Sequence, residues 1–386
     1  MGVSKTEIFI EQHIAELKLP MYASFSLSFA LMGDAFLYSF LPVNASSIHV
    51  PIIWIGTILS INRFTRILLN PLILRVFSRL GFRLPMIVAA ITAVFATAGY
   101  GAGFGIATLL LLRILWGISY SVLRVGAITY AMDYPQKGLA LGLSQSIVEA
   151  GPLLALLIGP LLFDVISPKL LFLVIALLST PGIYFAIKLK ERDRAPGRQF
   201  SFKVSFPSIF NRLAFLGAFA VEGMLVVLIG ALLMDARPDW SAVEITAAAA
   251  GFLGFRRICS LLISPFAGWA ADRYGLPDIY SGSILLICSG LLLATNGWAI
   301  TGLVIVFTFY NVNASLAAGA ASAGKADVTH AVSDNATFRD AGSAFGALAG
   351  GFLLANDHLH LMYAAIVALL IFFTWKYYRQ SNALPA

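Results

Sequence analysis

Charge is scarce in this chain. Only 12% of its 386 residues are Asp, Glu, Lys or Arg, against 59% hydrophobic residues, and the mean hydropathy is +0.86. A soluble globular protein carries about 25% charged residues, so an ordinary soluble fold is excluded. Cysteine is nearly absent too: Cys259 and Cys288 both sit in apolar runs and read as small packing residues, with no disulfide or metal framework. His49, His330, His358 and His360 lie in or near connections. The His358-Leu359-His360 run after Asp357 offers two imidazoles and one carboxylate on a short loop, which is more often solvated than metal-bound. There is no serine-histidine-acid arrangement, phosphate loop or cysteine cluster, so neither an enzyme nor a cofactor is expected. Nor does a small-residue cleavage site follow an early apolar core, so no removable signal peptide is expected.

What is present is a series of apolar blocks of about 20 residues, the length that crosses a hydrocarbon core of about 30 Å as a helix. They lack the alternation of a membrane β-barrel. The blocks run near Met21–Leu41, Ile52–Leu74, Pro85–Gly103, Ile106–Ala131, Leu139–Phe163 and Leu170–Ile187. After a polar break they resume at Ile209–Leu233, Val243–Ala270, Ile279–Thr295, Trp298–Ala321, Ala336–Ala355 and Leu359–Trp375. The expected fold is an all-α membrane protein with twelve transmembrane helices. Lys5, Lys18, Arg75, Arg79, Arg83, Lys137, Arg273, Lys325, Lys376 and Arg379 fall in alternate connections, as does the basic central break. Lysine and arginine excess marks cytoplasmic loops. Both termini and the central loop are therefore expected in the cytoplasm, and the net charge of +7 reads as membrane orientation and not as a nucleic-acid footprint.

The chain also repeats. A shift of 194 positions carries Arg63, Leu68, Pro71, Arg79 and Gly81 onto Arg257, Leu262, Pro265, Arg273 and Gly275. A shift of 191 carries Glu149-Ala150-Gly151 onto Asp340-Ala341-Gly342. Duplicated halves of six helices, joined by a linker with Pro196, Gly197 and Pro207, give two pseudo-symmetric six-helix bundles. The expected boundaries are a cytoplasmic segment 1–20, bundles 21–188 and 209–376, a linker 189–208 and a tail 377–386.

These residues carry a family resemblance. Gly268, Asp272, Arg273 and Gly275 resemble the G-x-x-x-D-R-x-G signature between helices 8 and 9 of the major facilitator superfamily, and Arg75, Arg79 and Gly81 resemble its degenerate partner between helices 2 and 3. Ser78 stands at the acidic position of that first copy, so the two turns are expected to latch asymmetrically. Arg113 with Gly117 is similar to the helix 4 motif, and Gly151-Pro152 resembles the helix 5 motif of antiporters, with Ala155 where glycine is usual. The resemblance implies a secondary transporter working by alternating access, with Asp272 and Arg273 in gating and Arg113 in proton coupling.

An ionisable group at span depth costs at least about 2.5–3.5 kcal/mol and is a functional candidate by default. The spans hold Asp34, Glu149, Glu222 and Asp340 against Arg63, Arg66, Arg113, Arg124, Arg256, Arg257 and Arg339. Desolvation favours the neutral form of a carboxylate, which suits Asp34, and Glu222 at the equivalent place in the second half, to carrying protons. For Asp34 a structural salt bridge to Arg66 or Arg113 is an equal alternative, and Gly33 beside it allows another helix to come close. Arg63 and Arg66 share a face, as do Arg113, Tyr120 and Arg124, and Tyr38 lies one turn from Asp34. Guanidinium forks beside tyrosines suit oxyanions, although Arg66 and Arg124 could instead snorkel to the headgroups. Neighbouring helical residues point about 100° apart, so one of Arg256 and Arg257 is expected to face inward, and the repeat selects Arg257. Tyr310, Asn311 and Asn313 are polar enough to line a pathway. Glu149 and Asp340 read as gating or packing charges.

The expected function is a proton-coupled transporter, acting as a monomer in the inner membrane, that exports a small anionic or zwitterionic organic compound such as a carboxylate-rich metabolite or a siderophore. Uptake of an organic anion by proton symport is the second reading. A lipid flippase, a divalent-metal exporter and a non-transporting receptor come after it.

Overall fold

The computed structural model describes residues 5–133, 137–163, 165–191, 208–322, 328–354 and 359–382. Its helices are α1 (Lys5–Asn44), α2 (Ile55–Leu80), α3 (Arg83–Tyr100), α4 (Ile106–Met132), α5 (Lys137–Phe163), α6 (Pro168–Ser179) and α7 (Pro181–Ile187). They continue as α8 (Ile209–Gly217), α9 (Val226–Ala236), α10 (Ala242–Tyr274), α11 (Leu276–Thr295), α12 (Ala299–Ser322), α13 (Val328–Leu353) and α14 (Leu359–Asn382). All regular structure among the described residues is helical, and eleven segments are long and apolar enough to cross a membrane.

The expected span missing from these eleven is the eleventh, 336–355, which corresponds to α13. His330, Asp334, Arg339 and Asp340 lower its hydropathy, although at 26 residues it exceeds the length a crossing needs. The sixth span is two helices because Pro181 supplies no N–H to continue the ladder; Thr180 ends α6 and Pro181 opens α7. The seventh is interrupted by a π-helical stretch, Ala218–Leu225, between α8 and α9. α1 begins well before the expected edge at Met21, because the polar segment ahead of it contains no glycine or proline from Lys5 to Leu19.

The chain divides into two compact units, one made of Met1–Leu37 with Leu68–Phe200, the other of Tyr38–Ile67 with Ser201–Ala386. The segment Tyr38–Ile67, which the repeat places in the first bundle, thus packs with the second half.

In the first unit small residues bring helices into backbone contact. A side chain at Gly33 would strike Thr97 of α3, and one at Gly151 would strike the backbone of Ser28. Ser28 Oγ accepts the Gly151 N–H at 2.8 Å, next to Pro152, which has no N–H to offer. In the second unit Gly342, Gly346 and Gly350 recur every four residues along α13. Side chains there would meet the backbone of Phe215, Phe219 and Met224, so α13 lies flush on the π-helical segment, as small-x-x-x-small faces do in membranes. Gly351 of α13 meets Gly56 of α2 in the same way.

Candidate functional site

In the first unit, α1 and α4 bring Asp34 and Arg113 together. Arg113 Nη1 donates to Asp34 Oδ1 and lies 3.5 Å from the Tyr100 hydroxyl. Its guanidinium carbon is 5.8 Å from the Tyr100 ring centroid and 5.5 Å from that of Trp116. Arg113 has no solvent exposure. Of the two partners weighed for Asp34, the structure thus places Arg113 on it. Trp116 Nε1 donates to Ala30 O at 3.3 Å, and Tyr120 stacks on the Trp116 ring with centroids 5.3 Å apart. Arg124 in turn lies over Tyr120, at 5.9 Å.

In the same unit the first loop copy, with Ser78 at the acidic position, is held by other groups. Ser78 Oγ donates to Arg75 O one turn back, at 2.9 Å. The carboxylate comes from beyond α7: Glu191 Oε1 accepts the Phe82 N–H at 2.8 Å, next to Gly81, whose φ of 75° suits glycine. Arg83 Nη2 donates to Ile187 O at 2.9 Å. No local motif marks Glu191, which lies 110 residues along the chain from Gly81. In the second copy Arg273 is exposed beside Trp269 and Tyr274, at 5.5 and 5.7 Å from their rings. The side chain of Asp272 lies outside the described residues.

The second unit holds a larger cluster around Glu222, which sits in the π-helical segment. Arg256 Nη2 donates to Glu222 Oε1 at 3.0 Å. Arg339 donates to both oxygens, through Nη2 to Oε1 and through Nε to Oε2 at 3.2 Å. It is therefore Arg256 of the adjacent pair that reaches Glu222. Arg257, the position selected by the repeat, is half-buried one helical step further round. The Tyr310 ring lies 5.7 Å from the Arg256 guanidinium, and Asn311 Nδ2 donates to Arg256 O at 2.9 Å and to Phe307 O at 2.7 Å.

Arg63 of α2 joins this cluster through the backbone. Its Nη2 donates to Glu222 O at 2.9 Å and its Nη1 to Ser343 O. π-helical segments disturb the i→i+4 ladder and recur at functional sites; here the carbonyl of Glu222 is bonded by a guanidinium. Tyr38 faces Arg63 at 5.2 Å and donates through its hydroxyl to Leu59 O at 3.0 Å. Arg66 Nη2 lies 3.8 Å from Asp340 Oδ1.

Of the residues singled out from sequence, Asp34 and Arg113 thus meet in one unit, with Tyr120 about two turns along α4. Glu222, Arg63, Tyr38, Tyr310 and Asn311 gather in the other, beside Arg66 and Asp340. Glu149 and Arg273 make their described contacts within their own helices, Glu149 accepting from Gln145 Nε2 at 3.0 Å. Tyr100, Trp116 and Glu191 are additions, while Arg256 and Arg339, already among the span charges, gain Glu222 as their partner.

Eleven helices long and apolar enough to cross a membrane, several of them burying ion pairs, define a multi-pass membrane protein. The chain belongs to the major facilitator superfamily, whose sequence profile matches residues 23–256, and the members of that family are transporters. No curated protein matches the chain by sequence. Among solved structures it is similar to the nucleoside transporter NupG, with a TM-score of 0.71 and 14% identity over 94% of this chain and 98% of that one. The human organic anion transporter MFSD10 (TETRAN) gives a TM-score of 0.66 and 16% identity over 94% and 98%. A D-xylose–proton symporter gives 0.68 and 13% over 94% and 97%. At these identities the likeness establishes the fold alone.

Proposed function

We propose that the protein is a proton-coupled secondary transporter that moves a small anionic or zwitterionic organic compound by alternating access. It works as a monomer in the inner membrane, with both termini cytoplasmic and residues 21–188 and 209–376 as its two bundles. The observation that carries this reading is the pairing of buried carboxylates with arginines inside the spans: Asp34 with Arg113, and Glu222 with Arg256 and Arg339. Such groups are costly at membrane depth and persist where function uses them. Asp34 and Glu222 take the protons, Arg113 holds Asp34, and the arginines of the second unit hold the anion beside Tyr38, Tyr310 and Asn311. Asp272, Arg273, Glu149 and Asp340 remain the gating candidates, with Glu191 in place of the missing acid at Ser78.

Two directions follow from the sequence: export, from the Gly151-Pro152 resemblance, and uptake by symport. The ion pairs favour symport. An anion that approaches an arginine already held by a carboxylate competes with that carboxylate and so promotes its protonation, which loads proton and anion together. The test is flux in proteoliposomes of purified protein, with a panel of labelled carboxylates, a neutral sugar and an organic cation, under imposed pH gradients. Accumulation of a carboxylate driven by an acid exterior supports the reading. Accumulation of the cation or the sugar alone sinks it, and proton-driven extrusion of the carboxylate restores the export direction.

A further inference from the structure

Three arginines bond Glu222. Arg63 comes from α2, Arg256 from α10 and Arg339 from α13, with the neutral hydroxyl of Tyr310 on α12 beside them, while Arg66 of α2 reaches Asp340. A charged group at membrane depth is costly and is a functional candidate by default. Arg63 is turned to backbone carbonyls, which leaves Arg256 and Arg339 as the two cations that converge on a single carboxylate.

Their exposure is graded. The side chain of Glu222 is 12% exposed, that of Arg256 25% and that of Arg339 40%, so the two arginines are more accessible than the acid they hold. Arg339 grips Glu222 through Nε and Nη2, one to each oxygen. This is the planar fork that matches a carboxylate and not a point charge.

We infer that the Glu222 side chain is the resident occupant of a carboxylate-binding site formed by Arg256 and Arg339, and that a substrate carboxylate binds there together with one proton on Glu222. This rests on the transporter reading above and deepens it. The proton passes from water to a Glu222 carboxylate oxygen, the two guanidinium groups transfer to the incoming carboxylate, and no covalent bond other than O–H is made or broken. Charge is conserved locally: ionised Glu222 with the site empty and neutral Glu222 with a monocarboxylate bound carry the same total. Binding the anion without the proton would set two carboxylates on the same arginines, where like charges disfavour double ionisation.

Linkage makes the inference measurable. If one proton accompanies each anion, the affinity for a carboxylate rises about tenfold for each unit fall in pH, over the range in which Glu222 is ionised in the empty protein. With lactate, succinate and gluconate as probes in proteoliposomes, the wild type is expected to accumulate at least one of them under an acid exterior. Glu222→Gln, a fixed neutral mimic, is expected to keep exchange of that probe, lose its gradient-driven accumulation, and bind it with pH-independent affinity. Full accumulation and unchanged pH dependence in Glu222→Gln would overturn the inference while leaving the transporter reading in place. Wild-type transport of a neutral or cationic compound in place of any carboxylate would overturn both. A second measurement needs no substrate: the thermal midpoint of purified Glu222→Ala should rise saturably with acetate and not with chloride. Absence of an acetate effect, with Glu222→Gln folded and its exchange unaltered by added acetate, counts against the site itself.

Discussion

The two units treat a buried carboxylate in opposite ways. In the first, one carboxylate meets one guanidinium, closed in by the rings of Tyr100 and Trp116, and Arg113 is wholly buried. In the second, one carboxylate is shared by two guanidinium groups, the more exposed of which keeps 40% of its side-chain surface accessible. A balanced, closed pair has no capacity for a further anion, but it can exchange a proton, because the rings still solvate Arg113 electrostatically when Asp34 is neutral. An open cluster with two guanidinium groups on one carboxylate is suited to an anion. Proton handling in the first unit and joint proton and anion handling in the second is the division of labour that this contrast implies.

The contrast is broken most directly by stability. Removing one partner of a buried ion pair costs about 3–5 kcal/mol, because the other is left uncompensated. Arg113→Ala should therefore destabilise the purified protein by an amount of that order in a thermal or denaturant unfolding assay. Arg339→Ala should cost clearly less, since its side chain is 40% exposed and Glu222 keeps Arg256. Equal losses would mean that the second cluster is as closed as the first and that the more exposed arginine is no entry point.

A functional comparison comes next. Asp34→Asn should abolish proton-driven accumulation and leave carboxylate binding, read as a ligand-induced thermal shift, with its pH dependence intact. On the proposed reading the anion and its companion proton bind in the other unit. If Asp34→Asn also flattens the pH dependence of binding, the two carboxylates act on one anion site and the division of labour fails. If Asp34→Asn transports normally, Asp34–Arg113 is a structural bridge and Glu222 alone couples.

Much of the architecture could be read from the chain itself, because the cues are of the kind that hydrocarbon enforces. Apolar blocks of spanning length, basic residues in alternate connections and paired Arg63/Arg257 spacings all follow from constraints that act locally along a membrane helix. The partners of those charges were less legible. Asp34 could be given two arginines but not one, since pairing depends on which helices touch. The repeat selected Arg257 by its match to Arg63, and such a match carries no information on which of two adjacent arginines meets the Glu222 carboxylate, as Arg256 does. The pairing of Arg339 with Glu222 and of Glu191 with Phe82 had no cue, because the partners lie more than 100 residues apart.

The smallest effect expected of the contrast concerns the rings. A guanidinium over an aromatic face gains about 0.5–1 kcal/mol at an exposed site and about 2 when desolvated. Arg113 over Tyr100 is the desolvated case and Arg256 over Tyr310 the partly exposed one, at closely similar distances of 5.8 and 5.7 Å. Leucine at either tyrosine also leaves a packing defect, so single variants do not isolate the ring. Double-mutant cycles of Tyr100→Leu with Arg113→Gln, and of Tyr310→Leu with Arg256→Gln, cancel that cost. The first cycle should give a coupling energy of about 2 kcal/mol and the second about half that or less. Coupling of the same size in both would show that water reaches the two guanidinium groups alike, and the open character assigned to the second cluster would then have to rest on Arg339 alone.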